Sequence, residues 1–160
     1  MGVSGCGKST IGKLLSDKLA YAFLDGDDFH SKENVEKMRQ AIPLTDSDRQ
    51  DWLKTLAQVL QSNTKTVLAC SALKPSYRDI LKQGNHGLSF IYLKGTFEEI
   101  WERHQQREGH YFMGQEMLES QFKDFIEPEE NEAIVIRINQ SPENILREII
   151  DNLSAKVDSK

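Results

Sequence analysis

The chain has 160 residues, of which 38% are hydrophobic and 28% are charged, a balance that suits one soluble domain with its own core. Its formal net charge of −5 argues against a nucleic-acid-binding protein, which needs a concentrated basic surface, but allows a local basic pocket. The cysteines, Cys6 and Cys70, lack CxxC or zinc-type spacing, so free thiols in a reducing compartment are expected. We find no membrane-length apolar run and no signal-peptide pattern, and we expect a cytoplasmic protein with no membrane partner.

Amphipathic stretches alternate with short apolar runs along the chain. Apolar periodicity predicts helices over 8–19, 30–39, 46–60, 75–82, 97–107, 115–125 and 142–153. Short apolar runs predict strands over 21–24, 66–70, 88–93 and 133–138. This alternation predicts an α/β fold in which a parallel sheet lies between helices, within one domain over 1–160. The stretch 108–114 is rich in glycine and aromatic residues and is expected to form a lid with residues up to about 122.

The segment from Gly2 to Ser9 reads GVSGCGKS and matches the phosphate-loop pattern G-x-x-x-x-G-K-[ST] at every fixed position. Such a loop wraps backbone N–H groups around nucleotide phosphates, and the following helix points its positive end at them. Lys8 is expected to bridge the β- and γ-phosphates of ATP as a catalytic residue, and Ser9 to ligate Mg²⁺. The alternative is a glycine-rich turn with an accidental Lys-Ser pair. The predicted nucleotide-binding residues in this segment are Gly2, Val3, Ser4, Gly5, Cys6, Gly7, Lys8, Ser9 and Thr10.

A strand normally precedes a phosphate loop, and here only Met1 stands before Gly2. In a parallel sheet, loss of that strand would leave backbone groups of its neighbours unpaired. We therefore expect either that a first strand of the natural protein is missing from this sequence or that the chain is a shortened form with impaired folding. We favour the first interpretation.

Further blocks follow the loop in the order found in gluconokinases, a family that the chain resembles over nearly its whole length. They are LDGDDFH (24–30), Asn34, Lys37-Met38, PLTDSDR (43–49) with Trp52-Leu53, CSALK (70–74), Tyr77-Arg78, Arg103, Arg107, Gly109-His110 and SQF (120–122). Together these blocks point to the family more specifically than the phosphate loop does alone.

Two positions depart from the family. Ala41 stands where glycine is usual before Ile-Pro-Leu, which is expected to shift a turn beside the substrate. The segment 110–113 is one residue longer than the usual Gly-His-Phe-Met spacing, which changes the expected lid contacts.

The resemblance implies a three-layer P-loop NTPase fold similar to that of shikimate and adenylate kinases. It also implies an enzyme that uses ATP and Mg²⁺ to phosphorylate the 6-hydroxyl of D-gluconate. The expected partner is this small molecule, with no nucleic acid and no membrane, and a homodimer is also considered. Two alternatives stay open: another small-molecule kinase of shikimate or nucleoside-monophosphate type, and a nucleotide-binding protein without transfer activity.

Asp25 and Asp27 come directly after a predicted strand. Alternation along a strand would point them in different directions, but a turn at Gly26 would bring them together. By resemblance, Asp25 supports the magnesium ion and Asp27 is a catalytic residue that orients the substrate hydroxyl or accepts its proton. The alternative for both carboxylates is a turn followed by a helix cap, the role favoured for Asp28.

The predicted substrate pocket combines basic and polar residues. Arg49 and Arg78 are expected to form an anion site, although Arg49 alone also fits a surface arginine at a helix start. Ser71 and Lys74 follow a strand, where ligands of open parallel sheets bind, although an ordinary turn fits them too. His30 is equally compatible with a packing role. The predicted substrate-binding residues are Asp27, His30, Arg49, Ser71, Lys74, Arg78 and Gln121.

Arg103 and Arg107 lie four residues apart and therefore on one face of a predicted helix next to the lid. By position they are expected to clamp the nucleotide. One would stabilise charge on the transferred phosphoryl group, and the other would lie over adenine. Arg107 is assigned to catalysis and Arg103 to the nucleotide. The alternative is a solvated face paired with Glu99 or Glu102. His104, between the two arginines, is expected at the surface.

Overall fold

The computed structural model describes residues 1–106 and 114–158. Within these ranges the helices are α1 (Lys8–Leu19), α2 (Lys32–Arg39), α3 (Asp46–Ser62), α4 (Pro75–Lys82), α5 (Phe97–Gln106), α6 (Gln115–Asp124) and α7 (Pro142–Asp158). The strands are β1 (Ala22–Asp25), β2 (Thr66–Ala69), β3 (Phe90–Lys94) and β4 (Ala133–Arg137), and a 3-10 turn follows β1 over Gly26–Phe29. Every predicted helix and strand is found, with ends shifted by a few residues. The stretch 107–113, which includes most of the glycine-rich part of the predicted lid, lies outside the described residues.

The strands form two parallel pairs. β1 pairs with β2 from Ala22 opposite Thr66 to Asp25 opposite Ala69. β3 pairs with β4 from Phe90 opposite Ala133 to Lys94 opposite Arg137. All four strands are connected through helices, which pack against the sheet as predicted for a layered α/β fold. None of the helices within the described ranges is both long enough and apolar enough to cross a bilayer.

The first two residues lie between the two strand pairs. The Leu93 N–H donates to the Met1 carbonyl at 3.0 Å, and the Gly2 N–H donates to the Ser71 carbonyl at 3.1 Å. The phosphate loop therefore starts between β3 and the end of β2. In a parallel sheet the carboxyl ends of the strands share one edge, so the segments that follow β1 and β2 meet the loop there.

Helix α3 anchors the turn after β1 through its buried face. The residues of α3 in the core include the predicted Trp52, Leu53, Leu56 and Leu60, while Val59 is half-buried. The indole Nε1 of Trp52 donates to the Gly26 carbonyl at 2.7 Å in the interior. A Cβ on Gly26 would lie 2.8 Å from the Ala69 carbonyl oxygen, so this turn has no space for a side chain. The turn that presents Asp27 is thus packed between Trp52 of α3 and the end of β2.

The capping box at the start of α3 also connects this helix to α2. The Thr45 hydroxyl and the Asp48 carboxylate form a reciprocal capping box at the start of α3. Lys37 of α2 donates to Asp48 at 2.7 Å, and the Asn34 amide donates to the Asp48 carbonyl at 2.7 Å. These bonds fix the connection between the helices, which forms one wall of the site described below.

Arg78 lies in the interior and is a structural residue. Its Nε and Nη2 donate to the Glu132 carboxylate at 2.8 and 3.1 Å. Its Nη1 donates to the carbonyls of Ala72 and Ile126, each at 3.1 Å. The guanidinium therefore ties α4 to the loop after β2 and to the segment before β4. This placement argues against the prediction that Arg78 binds the substrate, because four of its five N–H donors are used within the fold and the side chain is fully buried.

Arg78→Met should lower the free energy of unfolding by about 3–5 kcal/mol, because the Glu132 carboxylate and two carbonyls lose their donor in a buried place. Urea unfolding measures the change. Arg147→Met on the exposed face of α7 is the matched control and should stay within about 0.5 kcal/mol of the wild type. A stable Arg78→Met protein would contradict the structural role.

Candidate functional site

The phosphate loop adopts the open conformation that its glycines allow. Gly5 and Gly7 have φ angles of 82° and 103°, in the left-handed region that side chains avoid. Gly7 is the N-cap of α1, so the loop leads directly into the helix N-terminus. Val3 and Cys6 are buried, and they face the core while their backbone forms the loop. Thr10 lies exposed in the first turn of α1.

Lys8 lies across the loop. Its Nζ donates to the carbonyls of Gly2 and Val3, both at 3.0 Å. The acceptors that hold the ammonium group at the loop are therefore two neutral carbonyl oxygens. A phosphate oxygen is a stronger, charged acceptor, and Lys8 is placed to exchange these bonds for one to a nucleotide.

The predicted carboxylate pair is brought together by the turn at Gly26. Ser9 Oγ donates to Asp25 Oδ2 at 2.8 Å, and the Asp27 N–H donates to Asp25 Oδ1 at 3.1 Å. Partial desolvation in the cleft and, second, the charge of Asp25 raise the pKa of the Asp27 carboxyl above its ordinary value. The Asp27 side chain is 83% accessible to water, so it is open to a ligand in the cleft.

The Ser9–Asp25 pair fits a magnesium site. A hydroxyl and a carboxylate oxygen are the hard donors that Mg²⁺ prefers, and they lie beside the phosphate loop. Among residues 1–106 and 114–158, no group of three or more His, Cys, Asp or Glu side chains is arranged as an all-protein metal cage. Mg²⁺ commonly keeps several waters and binds through one or two protein ligands plus substrate phosphates, and a pair of this kind is compatible with that mode of binding.

A cavity of about 310 Å³ opens beside the loop. Its polar lining brings together seven residues that were predicted for the nucleotide or the substrate, namely Ser4, Lys8, Asp27, His30, Arg49, Ser71 and Gln121. Its apolar lining includes Val35, Met38, Ile42, Pro43 and Leu44 from the α2–α3 wall, together with Trp52 and Met117. Phosphate-loop residues and the predicted anion-binding Arg49 thus face one space.

His30 and Arg49 form the buried base of this cavity. The His30 ring stacks on Trp52, with ring centroids 4.2 Å apart and planes inclined by 17°. The Arg49 guanidinium lies over the Tyr77 ring at 5.6 Å. His30 Nδ1 and Arg49 Nη1 are both buried and have no hydrogen-bond partner among the described residues. Burial and, second, the charge of Arg49 lower the pKa of His30 to about 4, so the imidazole is neutral at physiological pH.

Two predicted residues lie elsewhere. Lys74 donates to the Asp46 carboxylate at 2.8 Å, and the Tyr77 hydroxyl donates to the same oxygen. Lys74 does not line the cavity, and its assignment to the substrate stays a prediction. Arg78 is the structural residue described above. The partners of these two residues, Asp46 and Glu132, are distant in sequence, so no local pattern predicted these contacts.

Ala41 adopts the conformation expected of the glycine that it replaces. Its φ is 56°, and it lies on the wall between α2 and α3 that lines the cavity. The expected shift of this turn relative to the family stays a prediction. An alanine in the left-handed region costs roughly 1–2 kcal/mol, which the caps of α2 and α3 must offset.

The end of α5 lies against the phosphate loop. The Arg103 guanidinium donates to the Ile138 carbonyl, and its Nη1 would be 4.0 Å from a Cβ on Gly7. His104 Nε2 lies 3.3 Å from the Ser4 carbonyl oxygen, so the expectation that His104 is a surface residue is wrong. No motif pointed to His104, because nothing local in its surroundings marks a contact 100 residues away. Arg107 lies outside the described residues, and its role stays a prediction.

Residues 4–154 match the family model described as shikimate kinase. The chain is 43% identical over 157 residues to the thermoresistant gluconokinase of Escherichia coli (strain K12), a match that covers 94% of this chain and 89% of that protein. It is 43% identical over 168 residues to the gluconokinase of Arabidopsis thaliana, with 94% and 88% covered. A crystal structure of a gluconokinase from Sinorhizobium meliloti 1021 matches with a TM-score of 0.92 at 37% identity, covering 99% of this chain and 91% of that one.

The buried neutral His30 predicts a pH-dependent stability. Its folded pKa of about 4 lies below its ordinary 6.5, so the unfolded state binds more protons between these values and stability falls as the pH falls. Relative to His30→Gln, the wild type should lose about 2 kcal/mol of unfolding free energy between pH 7.5 and pH 5. Urea unfolding at both pH values measures this. The exposed His86→Gln control should give no such difference, and parallel curves for wild type and His30→Gln would contradict the buried neutral ring.

Proposed function

The chain belongs to the gluconokinase family, and we propose from this premise that it transfers the γ-phosphoryl group of ATP to the 6-hydroxyl of D-gluconate. The observation that carries the proposal is that Lys8 of the phosphate loop and the buried Arg49 line the same cavity. A cavity with a phosphate-binding cation and a second cation can hold a triphosphate and an acidic acceptor at once. Its volume of about 310 Å³ is at the small end of ligand pockets, which run from about 300 to 1,000 Å³, and suits a small metabolite.

The phosphate loop is proposed to bind ATP through its backbone N–H groups, with Lys8 on the β- and γ-phosphates. Ser9 and Asp25 would hold Mg²⁺, which supplies charge neutralisation to the phosphates when it is bound. Arg103 lies next to Gly7 and is a second cation for the nucleotide. Its anchor on the Ile138 carbonyl fixes the side chain before the nucleotide arrives.

Arg49 is proposed to bind the carboxylate of gluconate. Its guanidinium is buried, and one nitrogen has no partner in the part of the chain that the structure describes, so this donor is kept for a ligand. The neutral His30, Ser71 and Gln121 would bind hydroxyl groups along the substrate, because each provides uncharged hydrogen-bonding atoms at the cavity.

Asp27 is proposed to orient the attacking hydroxyl. It lines the cavity together with Lys8, and the hydrogen bond from its own N–H to Asp25 fixes its backbone. In phosphoryl transfer a carboxylate at this place positions the nucleophile and accepts its proton as the new bond to the γ-phosphorus forms and the bond to the bridging oxygen breaks, which releases ADP. Most of the rate acceleration then comes from positioning and from charge stabilisation by the surrounding cations.

The test is a coupled ADP-release assay with gluconate, other sugar acids and shikimate, with and without Mg²⁺. Shikimate is included because the family model that matches residues 4–154 is described as shikimate kinase. We expect turnover to be fastest with gluconate and to require Mg²⁺. A preference for shikimate, or ATP binding without product from any acid, would overturn the proposal.

Lys8→Ala should reduce kcat/KM by at least about 100-fold, because a charge-stabilising donor to the transferred group is lost. The same assay measures the loss. Lys18→Ala, on the exposed last turn of the same helix, is the control and should keep wild-type activity. Near-normal turnover of the Lys8 variant would refute its phosphate role.

Arg49→Ala should weaken the use of gluconate by about 2–4 kcal/mol, or roughly 30- to 1,000-fold in kcat/KM, because the carboxylate loses its charged partner. The neutral polyol glucitol, which lacks the carboxylate, separates charge recognition from general damage. Arg49→Ala should reduce the preference for gluconate over glucitol, whereas Arg147→Ala should not. An unchanged preference would remove Arg49 from the carboxylate site.

A further inference from the structure

The imidazole of His104 covers the first half of the phosphate loop. Its Nε2 lies 3.3 Å from the Ser4 carbonyl oxygen. A Cβ built on Gly5 would lie 2.5 Å from His104 Nε2 and 2.8 Å from Cδ2. The ring edge therefore lies directly against the Cα of Gly5, where a side chain has no space. Since a carbonyl oxygen only accepts, the His104 nitrogen that faces it must carry the hydrogen.

Ser4 is bonded on both sides by the helices that flank residues 107–113. Its carbonyl accepts from His104 of α5, and its N–H donates to Gln121 Oε1 of α6 at 2.7 Å. The two helices also contact each other, with the rings of Phe97 and Phe122 packed edge to face at 5.6 Å. The position of Ser4 therefore depends on α5 and α6 as well as on the loop itself.

A fixed Ser4 carbonyl also fixes the direction of the next N–H. The peptide between Ser4 and Gly5 is planar and trans, so its carbonyl and its N–H point in opposite directions. With the carbonyl held by His104, the Gly5 N–H points away from the ring. Among residues 1–106 and 114–158, this N–H has no hydrogen-bond acceptor. It is one of the donors that a phosphate loop offers to a bound nucleotide.

We propose that His104 is a positioning residue that holds the Ser4–Gly5 peptide with the Gly5 N–H directed at the phosphates of ATP. The proposal rests on the proposed kinase function and adds a residue outside the loop to its nucleotide site. Without the bond, the peptide between a serine and a flexible glycine is free to rotate, and the donor is lost for part of the time. The neighbouring Arg103 donates to the Ile138 carbonyl and so fixes the turn of α5 that carries His104.

The decisive comparison is His104→Leu, which keeps the bulk over Gly5 but loses the donor, with His104→Gln, which keeps an N–H donor. We expect His104→Leu to raise the KM for ATP or lower kcat by about tenfold while the KM for gluconate changes less than twofold. His104→Gln should recover most of the loss. The exposed His86→Leu is the matched control and should leave all three constants unchanged.

A direct readout is the amide resonance of Gly5 in ¹⁵N-labelled protein titrated with Mg-ADP. It should shift strongly in the wild type and His104→Gln, and at least twofold less in His104→Leu. Wild-type ATP constants in His104→Leu, or equal losses in the two variants, would overturn the proposal. An inactive wild type would instead refute the kinase function itself.

A measurement on the wild type keeps the test decisive if His104→Leu does not fold. The ¹⁵N shifts of the His104 ring, at a pH at which the ring is neutral, should report the Nε2–H tautomer. An unprotonated Nε2 would overturn the proposal, because the Ser4 carbonyl could not then accept a hydrogen from it.

Discussion

Hydrogen bonds from distant elements to the backbone of Gly2 and Ser4 set the position of the phosphate loop. Ser71 after β2, His104 on α5 and Gln121 on α6 each contact one peptide group of the loop. A loop that binds phosphates must keep its N–H groups turned inward and cannot satisfy them within itself. The support therefore comes from outside, and the same bonds place the loop against the cavity that is proposed to hold the acceptor.

Two arginines show how burial separates a structural role from a binding role. Arg78 and Arg49 are both buried and both lie in family-like blocks. Arg78 meets the Glu132 carboxylate and two carbonyls, so its charge and donors are used within the fold. Arg49 rests on the Tyr77 ring and keeps a buried nitrogen without a partner among the described residues. An unpaired buried donor costs stability unless a ligand uses it, which is why Arg49 is the better candidate for anion binding.

Local sequence was enough to predict the helices, the strands, the phosphate loop and the turn that joins Asp25 to Asp27. Apolar periodicity and turn residues determine these features over a few neighbouring residues. The contacts of Lys74 and Arg78 could not be predicted, because their partners, Asp46 and Glu132, are 28 and 54 residues away in sequence. His104 was missed for the same reason. The substrate roles of Asp27, His30, Arg49, Ser71 and Gln121 stay predictions, although the structure brings them to one cavity.

The conformation of Ala41 has a consequence for how the protein responds to heat. The connection between α2 and α3 holds an alanine at a φ of 56°, a state that an unfolded alanine rarely visits. Neighbouring contacts, such as the Lys37–Asp48 ion pair, keep the residue there. As temperature rises and these contacts weaken, the connection is free to relax to an extended conformation. The acceptor side of the cavity, which this connection lines, is then expected to lose its shape, so that affinity for the acid would fall.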